Sequence, residues 1–185
     1  MRLFIAIELP EALKKELAVV QGSLRDAGVD ASWTRAEGMH LTLKFLGEVS
    51  EQQVPEIMSS LRKAMEGIGP LGFSVSGVGT FPNPIKARVV WIGLAGDIDK
   101  LTRLQAAVEN AMVLLAMARE ERKFTPHLTL GRIKYIRSRD RWTKTLEEVK
   151  DISLPGFEAT AVSLMKSELK PSGAVYTEMG RVELL

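Results

Sequence analysis

The chain has 185 residues, 45% of them hydrophobic, with 25 Lys and Arg against 23 Asp and Glu. This is enough for one substantial core, so a single domain spanning 1–185 is expected. Cysteine is absent, which excludes disulfides, thiolate metal sites and cysteine nucleophiles, and a formal net charge of +2 is too small by itself to mark a nucleic-acid binder.

The opening run Leu3-Phe4-Ile5-Ala6-Ile7 is short, apolar and β-prone. It is too short for a signal peptide, and no later stretch reaches the roughly 18 to 20 apolar residues of a membrane span, so a cytoplasmic protein is expected. Pro10 marks the entry to a helix whose apolar residues Leu13, Leu17, Val20 and Leu24 recur at helical spacing, with Gly28 as its stop. A strand from about Met39 to Phe45 follows. Ser50 and Gln53 have the spacing of a capping box and predict a second helix with Val54, Ile57, Met58, Leu61 and Met65 on its buried face, ended by Gly67, Gly69 and Pro70.

Two strands are expected around 71–78 and 88–94, separated by the turn-rich Thr80-Phe81-Pro82-Asn83-Pro84. A third helix should run from about Asp97 to Ala118 on the stripe Leu101, Leu104, Val108, Ala111 and Leu115, with Met112 and Met117 as core filling. A strand from Thr125 or Pro126 to about Ile133 comes next, then a short helix over 139–149. The chain closes with β-prone runs at 159–169 and 174–184, joined by the turn residues Lys170-Pro171-Ser172-Gly173. The whole is a mixed α and β domain.

Both histidines of the chain are followed by the same three residues, in His40-Leu41-Thr42-Leu43 and His127-Leu128-Thr129-Leu130. Any one histidine has that neighbourhood by chance on the order of one time in a thousand. The copies lie one in each half, each preceded by a helix, so an internal duplication with pseudo-twofold symmetry is a reasonable reading. In a strand, His and Thr share one face and the two leucines the other. The leucines can then anchor the strand while imidazole and hydroxyl project into a groove. Two imidazoles can take and give a proton near neutral pH, and threonine hydroxyls can donate to phosphate oxygens, which together suit phosphodiester hydrolysis. A zinc site is the competing use of two histidines, but it commonly needs at least three protein ligands, and no carboxylate lies within either tetrapeptide. No metal and no cofactor are expected. The cations Arg132, Lys134, Arg137, Arg139 and Arg141 are either a solvated face or a phosphate-binding surface.

At these motifs the chain resembles the 2H phosphoesterase superfamily, and within it the LigT-like or ThpR group of RNA 2',3'-cyclic phosphodiesterases, also called 2'-5' RNA ligases. The resemblance covers nearly the whole length. It rests on Arg2-Leu3-Phe4-Ile5-Ala6-Ile7, on His40 to Leu43 with Phe45-Leu46-Gly47 after it, on Phe124-Thr125-Pro126 leading into His127 to Leu130 with Arg132 after it, and on Ser167, Leu169, Pro171, Gly173 and Tyr176 near the end.

The resemblance implies a bilobal α+β fold, with two pseudo-symmetric lobes whose antiparallel sheets line a central cleft and whose helices pack outside. It implies His127 as proton acceptor, His40 as proton donor, and Thr42 and Thr129 as phosphate binders. The implied partner is RNA ending in a 2',3'-cyclic phosphate, the product a 2'-phosphate with a free 3'-hydroxyl, and 2'-5' ligation a minor reversal. Arg132 directly follows the motif strand and is expected on phosphate, while Phe45 is either a stacking surface for a base or part of the core. Lys44 falls, by alternation, on the histidine's face. An RNA-end binding module with little turnover and a phosphodiesterase for a small nucleotide such as ADP-ribose cyclic phosphate are the alternatives, and a monomer is expected.

Overall fold

The computed structural model describes residues 1–171 and 173–185. Its elements are β1 (Arg2–Glu8), α1 (Glu11–Arg25), β2 (Val29–Trp33), β3 (His40–Glu48), α2 (Val54–Met65), β4 (Leu71–Phe81), β5 (Val89–Gly96), α3 (Ile98–Leu114), β6 (His127–Ile136), α4 (Arg139–Val149), β7 (Ser153–Ala159), β8 (Ala161–Lys170) and β9 (Gly173–Glu183). The helical stripes are buried as their spacing predicts: Leu13, Leu17, Val20 and Leu24 of α1, and Ile57, Met58, Leu61 and Met65 of α2. Gly28, just past α1, takes a φ of 74°, a left-handed turn that residues with a Cβ rarely adopt. The capping box forms, with the Ser50 amide donating to Gln53 Oε1 at 3.2 Å, although the first turn is 3-10 and α2 proper starts at Val54. α3 stops four residues before the expected end, and Ala116 beyond it takes a φ of 59°.

Two strands escape the sequence pattern. β2 (Val-Asp-Ala-Ser-Trp) buries only Val29, and β7 contains Pro155 and Gly156, which weaken any strand signal. Both are edge strands, where such residues are tolerated. The last two strands form the expected hairpin, with Lys170 opposite Gly173; the expected turn includes Ser172, which lies outside the described residues.

The strands form two sheets, β3-β1-β8-β9 and β2-β6-β5-β4-β7, in which every pair is antiparallel. The unit β1-α1-β3 of the first sheet recurs as β5-α3-β6 in the second, each time with the motif strand beside the strand that opens the unit. The helices are exchanged: α1 packs on β2, β6 and β7 of the second sheet, and α3 packs on β3 of the first. One large buried cluster therefore takes side chains from both sheets and all four helices. The motif strands β3 and β6 touch where the sheets meet. Among the described residues no helix is long and apolar enough to cross a membrane.

Candidate functional site

The leucines do what alternation requires. Leu41, Leu43, Leu128 and Leu130 are at most 3% exposed and belong to the core under the helices, while His40, Thr42, His127 and Thr129 are half-buried on the opposite face. Alternation then breaks at a matching place in both strands. Against β1, Thr42 pairs with Ala6 and Lys44 with Ile5, so Leu43 is an extra residue; against β5, Thr129 pairs with Trp91 and Gly131 with Val90, so Leu130 is extra. Each is a bulge at the fourth residue of the motif, and one extra residue turns everything after it to the other face.

This corrects the placement of Lys44. It lies with Ile5 on the core side, 5% exposed, and its Nζ donates to both carboxylate oxygens of Glu109 on α3, at 2.8 and 2.9 Å, and to the Ala118 carbonyl at 2.9 Å. Glu109 in turn accepts from the Glu120 amide, so the pair ties β3 to the loop that leads into β6. Glu109, buried on α3, gives no sign of itself in the helical pattern. Phe45 moves the other way. It is 63% exposed, pairs with Phe4 on the histidine's side and lies 6.1 Å from that ring, which decides against core packing. Arg132 holds the equivalent place after the second bulge, opposite Val89, and is exposed.

The carbonyl of each bulged residue accepts from a helix glutamine of the other half, that of Leu130 in addition to the Thr34 amide at 3.0 Å. Gln105 of α3 donates to the Leu43 carbonyl at 3.3 Å, and the buried Gln21 of α1 donates to the Leu130 carbonyl at 2.7 Å and to the Thr34 carbonyl at 2.6 Å. Neither glutamine stands out in the sequence.

The two imidazoles sit in different surroundings. His40 stacks on Phe4 at 4.7 Å and meets the edge of Tyr176 at 5.3 Å. Burial, and then the charge of Lys14, lower its pKa from 6.5 to about 4, so the imidazole is neutral near pH 7. His127 meets the edge of Phe81 at 5.1 Å and lies 6.5 Å from Trp91. Its Nδ1 is 2.7 Å from the Thr125 carbonyl. A carbonyl can only accept, so Nδ1 carries a proton and Nε2 is the nitrogen left to exchange one. Trp91 Nε1 is buried without a hydrogen-bond partner among the described residues, and its ring lies so close over Gly79 that a Cβ there would sit 2.4 Å from it.

Thus β3 carries His40, Thr42 and Phe45 on one face and β6 carries His127, Thr129 and Arg132, in matching order. The aromatic floor of Phe4, Phe81 and Trp91 was not anticipated. A signal for Phe4 existed: β1 is apolar at five consecutive positions, as in a strand covered on both faces, and Phe4 and Ala6 are indeed buried by Met165 and Tyr176 on the cleft side. Among the described residues no three His, Asp or Glu side chains gather as a metal set would. The arrangement offers one imidazole held through Nδ1, a second enclosed by aromatic rings, two threonine hydroxyls and the exposed Arg132, a set able to move protons about a bound anion.

The comparisons agree with the duplication. The family model described as LigT like Phosphoesterase matches the chain twice, at residues 7–91 and 92–176. The RNA 2',3'-cyclic phosphodiesterase of Thermotoga maritima is 38% identical over 178 residues, covering 95% of this chain and 91% of its own. That of Methanothermobacter thermautotrophicus is 35% identical over 178 residues, covering 96% of both chains. Among solved structures, TT0787 of Thermus thermophilus superposes with a TM-score of 0.82 at 28% identity, covering 100% of this chain and 98% of the other. E. coli LigT complexed with 3'-AMP has a TM-score of 0.77 at 22% identity, covering 99% and 97%, a likeness of fold alone.

Proposed function

The chain belongs to the LigT-like phosphoesterase family, and on that premise we propose that it opens 2',3'-cyclic phosphates at RNA ends, leaving a 2'-phosphate and a 3'-hydroxyl. The observation that carries the reading is the matched pair of His-x-Thr strands, bulged at the same residue and in contact where the sheets meet. The names of the full-length relatives supply the substrate class.

In this reading Nε2 of His127 takes a proton from water, whose oxygen attacks phosphorus in line with the departing 3' oxygen. His40 gives that oxygen its proton. Thr42 and Thr129 donate to the non-bridging oxygens, Arg132 offsets phosphate charge, and Phe45 stacks on a base. No metal or cofactor takes part, the protein acts as a cytoplasmic monomer, and ligation of a 5'-hydroxyl end is a minor reversal.

The test is to incubate the protein and an RNA oligonucleotide ending in a cyclic phosphate with excess EDTA, and to map the product's phosphate. A 2'-phosphate is expected, with His40→Ala and His127→Ala each slower by roughly 10² to 10⁴-fold. Unchanged turnover in both variants would sink the reading. Loss of activity only with EDTA would point to a metal, and tight binding without cleavage to a binding module.

The lowered pKa of His40 favours a second assignment, in which His40 is the base and His127 the acid. In the first assignment the entering phosphate anion must restore the His40 proton. A substrate with sulfur in place of the bridging 3' oxygen separates them, because a thiolate leaves without a proton. It rescues His40→Ala if His40 is the acid, and His127→Ala if the roles are exchanged.

A further inference from the structure

We propose that a basic groove at the far end of β6 holds the RNA strand leading into the terminal cyclic phosphate, so that the enzyme is built for oligonucleotide ends and not for free nucleotides; this rests on the function proposed above. The groove, about 690 Å³, lies between the β4–β5 connection and the 133–139 stretch. Lys86 and Arg88 line one side and Lys134, Arg137 and Arg139 the other, and no carboxylate lines it.

These five cations are exposed, and none forms a salt bridge among the described residues. Elsewhere some exposed cations hold a carboxylate, as Lys100 and Arg122 do, and others, such as Lys15 and Arg62, do not; what marks the groove is that five face one space that no carboxylate lines. In a chain of net charge +2, five cations without a carboxylate partner around one groove, of which Arg137 also donates to the Val29 carbonyl, are a local concentration that a polyanion would neutralise. Tyr135 at 65% and Ile85 at 62% exposure add apolar surface along it. Spaced cations with an exposed aromatic ring suit single-stranded RNA, whose phosphates need charge and whose bases need a face to stack on.

Along the chain the groove's lining adjoins residues of the candidate site. Pro82 at its edge follows Phe81, the ring against His127, and Ile133 in its wall follows Arg132. The nucleotides on the 5' side of the cyclic phosphate would follow β6 away from His127, whereas a mononucleotide would end before the groove begins.

The experiment compares kcat/KM for a nucleoside 2',3'-cyclic phosphate with that for an oligonucleotide ending in the same nucleotide. The proteins are the wild type, the groove variant Lys86→Glu/Lys134→Glu, and a control of equal charge change on other faces, Lys15→Glu/Arg62→Glu. The oligonucleotide's advantage is expected to drop at least about tenfold in the groove variant at low salt, and the salt dependence of its binding to flatten by about 0.7 for each phosphate no longer neutralised. The control keeps both. An equal advantage in all three proteins, or an equal drop in groove variant and control, overturns the groove. If the wild type opens neither substrate, it is the catalytic reading that fails, and binding of the uncleaved oligonucleotide to the same three proteins still decides the groove.

Discussion

His40 and Lys44, four residues apart on β3, show how a single side chain's surroundings become measurable. Packed between Phe4 and Tyr176, with Lys14 nearby and the exposed Glu8 opposite it in register, His40 has its pKa lowered from 6.5 to about 4. The folded protein therefore holds fewer protons there than the unfolded chain at any pH between these values, so stability falls as pH drops from 6.5 towards 4 and is level above that range. Urea unfolding at pH 7 and pH 4.5 should show the wild type losing more stability than His40→Asn, by about 2 kcal/mol once partial exposure is allowed for. Equal losses would mean that His40 is not shielded. Lys44 and Glu109 expose only 2% and 8% of their side chains, so Lys44→Met leaves a carboxylate uncompensated in the core. It should cost about 3 to 5 kcal/mol, while Lys44→Met/Glu109→Leu should recover most of the loss in the same denaturant titration.

At the level of whole elements, periodicity disclosed the helices and the motif strands, because burying one face of each writes a spacing into the sequence. α4 falls on the predicted 139–149. Bulges leave no such mark. One extra residue changes neither composition nor propensity, yet it sends Lys44 inward and Phe45 outward, which is why alternation misplaced the lysine but the histidine and threonine upstream were placed correctly. β2 and β7 were missed because edge strands need little apolar sequence. The glutamines that meet the bulge carbonyls act across halves, through contacts no local window contains. Replacing Gln21 by Leu takes a donor from the Thr34 carbonyl and leaves the Leu130 carbonyl with the Thr34 amide alone, and should cost about 1 to 3 kcal/mol; Gln105→Leu, with one longer bond to lose, should cost less. Both should lower kcat more than they raise KM, since each displaces a motif strand. A stability loss without any change in turnover would make them scaffold residues only.

Over the whole molecule the chain's ends are joined: β1 lies between β3 and β8, while α1 packs on the second sheet and α3 reaches β3 of the first. Each sheet takes strands from both halves of the chain, so unfolding followed by tryptophan fluorescence and by far-ultraviolet dichroism should give one coincident transition, and residues 1–91 expressed alone should not fold. Two separated transitions would show independent lobes. The same exchange of helices bears on descent. A free-standing ancestor half, its helix lent to a second copy and that copy's borrowed in return, would have been a twofold dimer carrying one imidazole twice in identical settings. Within one chain no symmetry holds the two settings equal, and here Phe4 and Tyr176 enclose one ring while the Thr125 carbonyl tethers the other, so the two histidines have separate chemical characters.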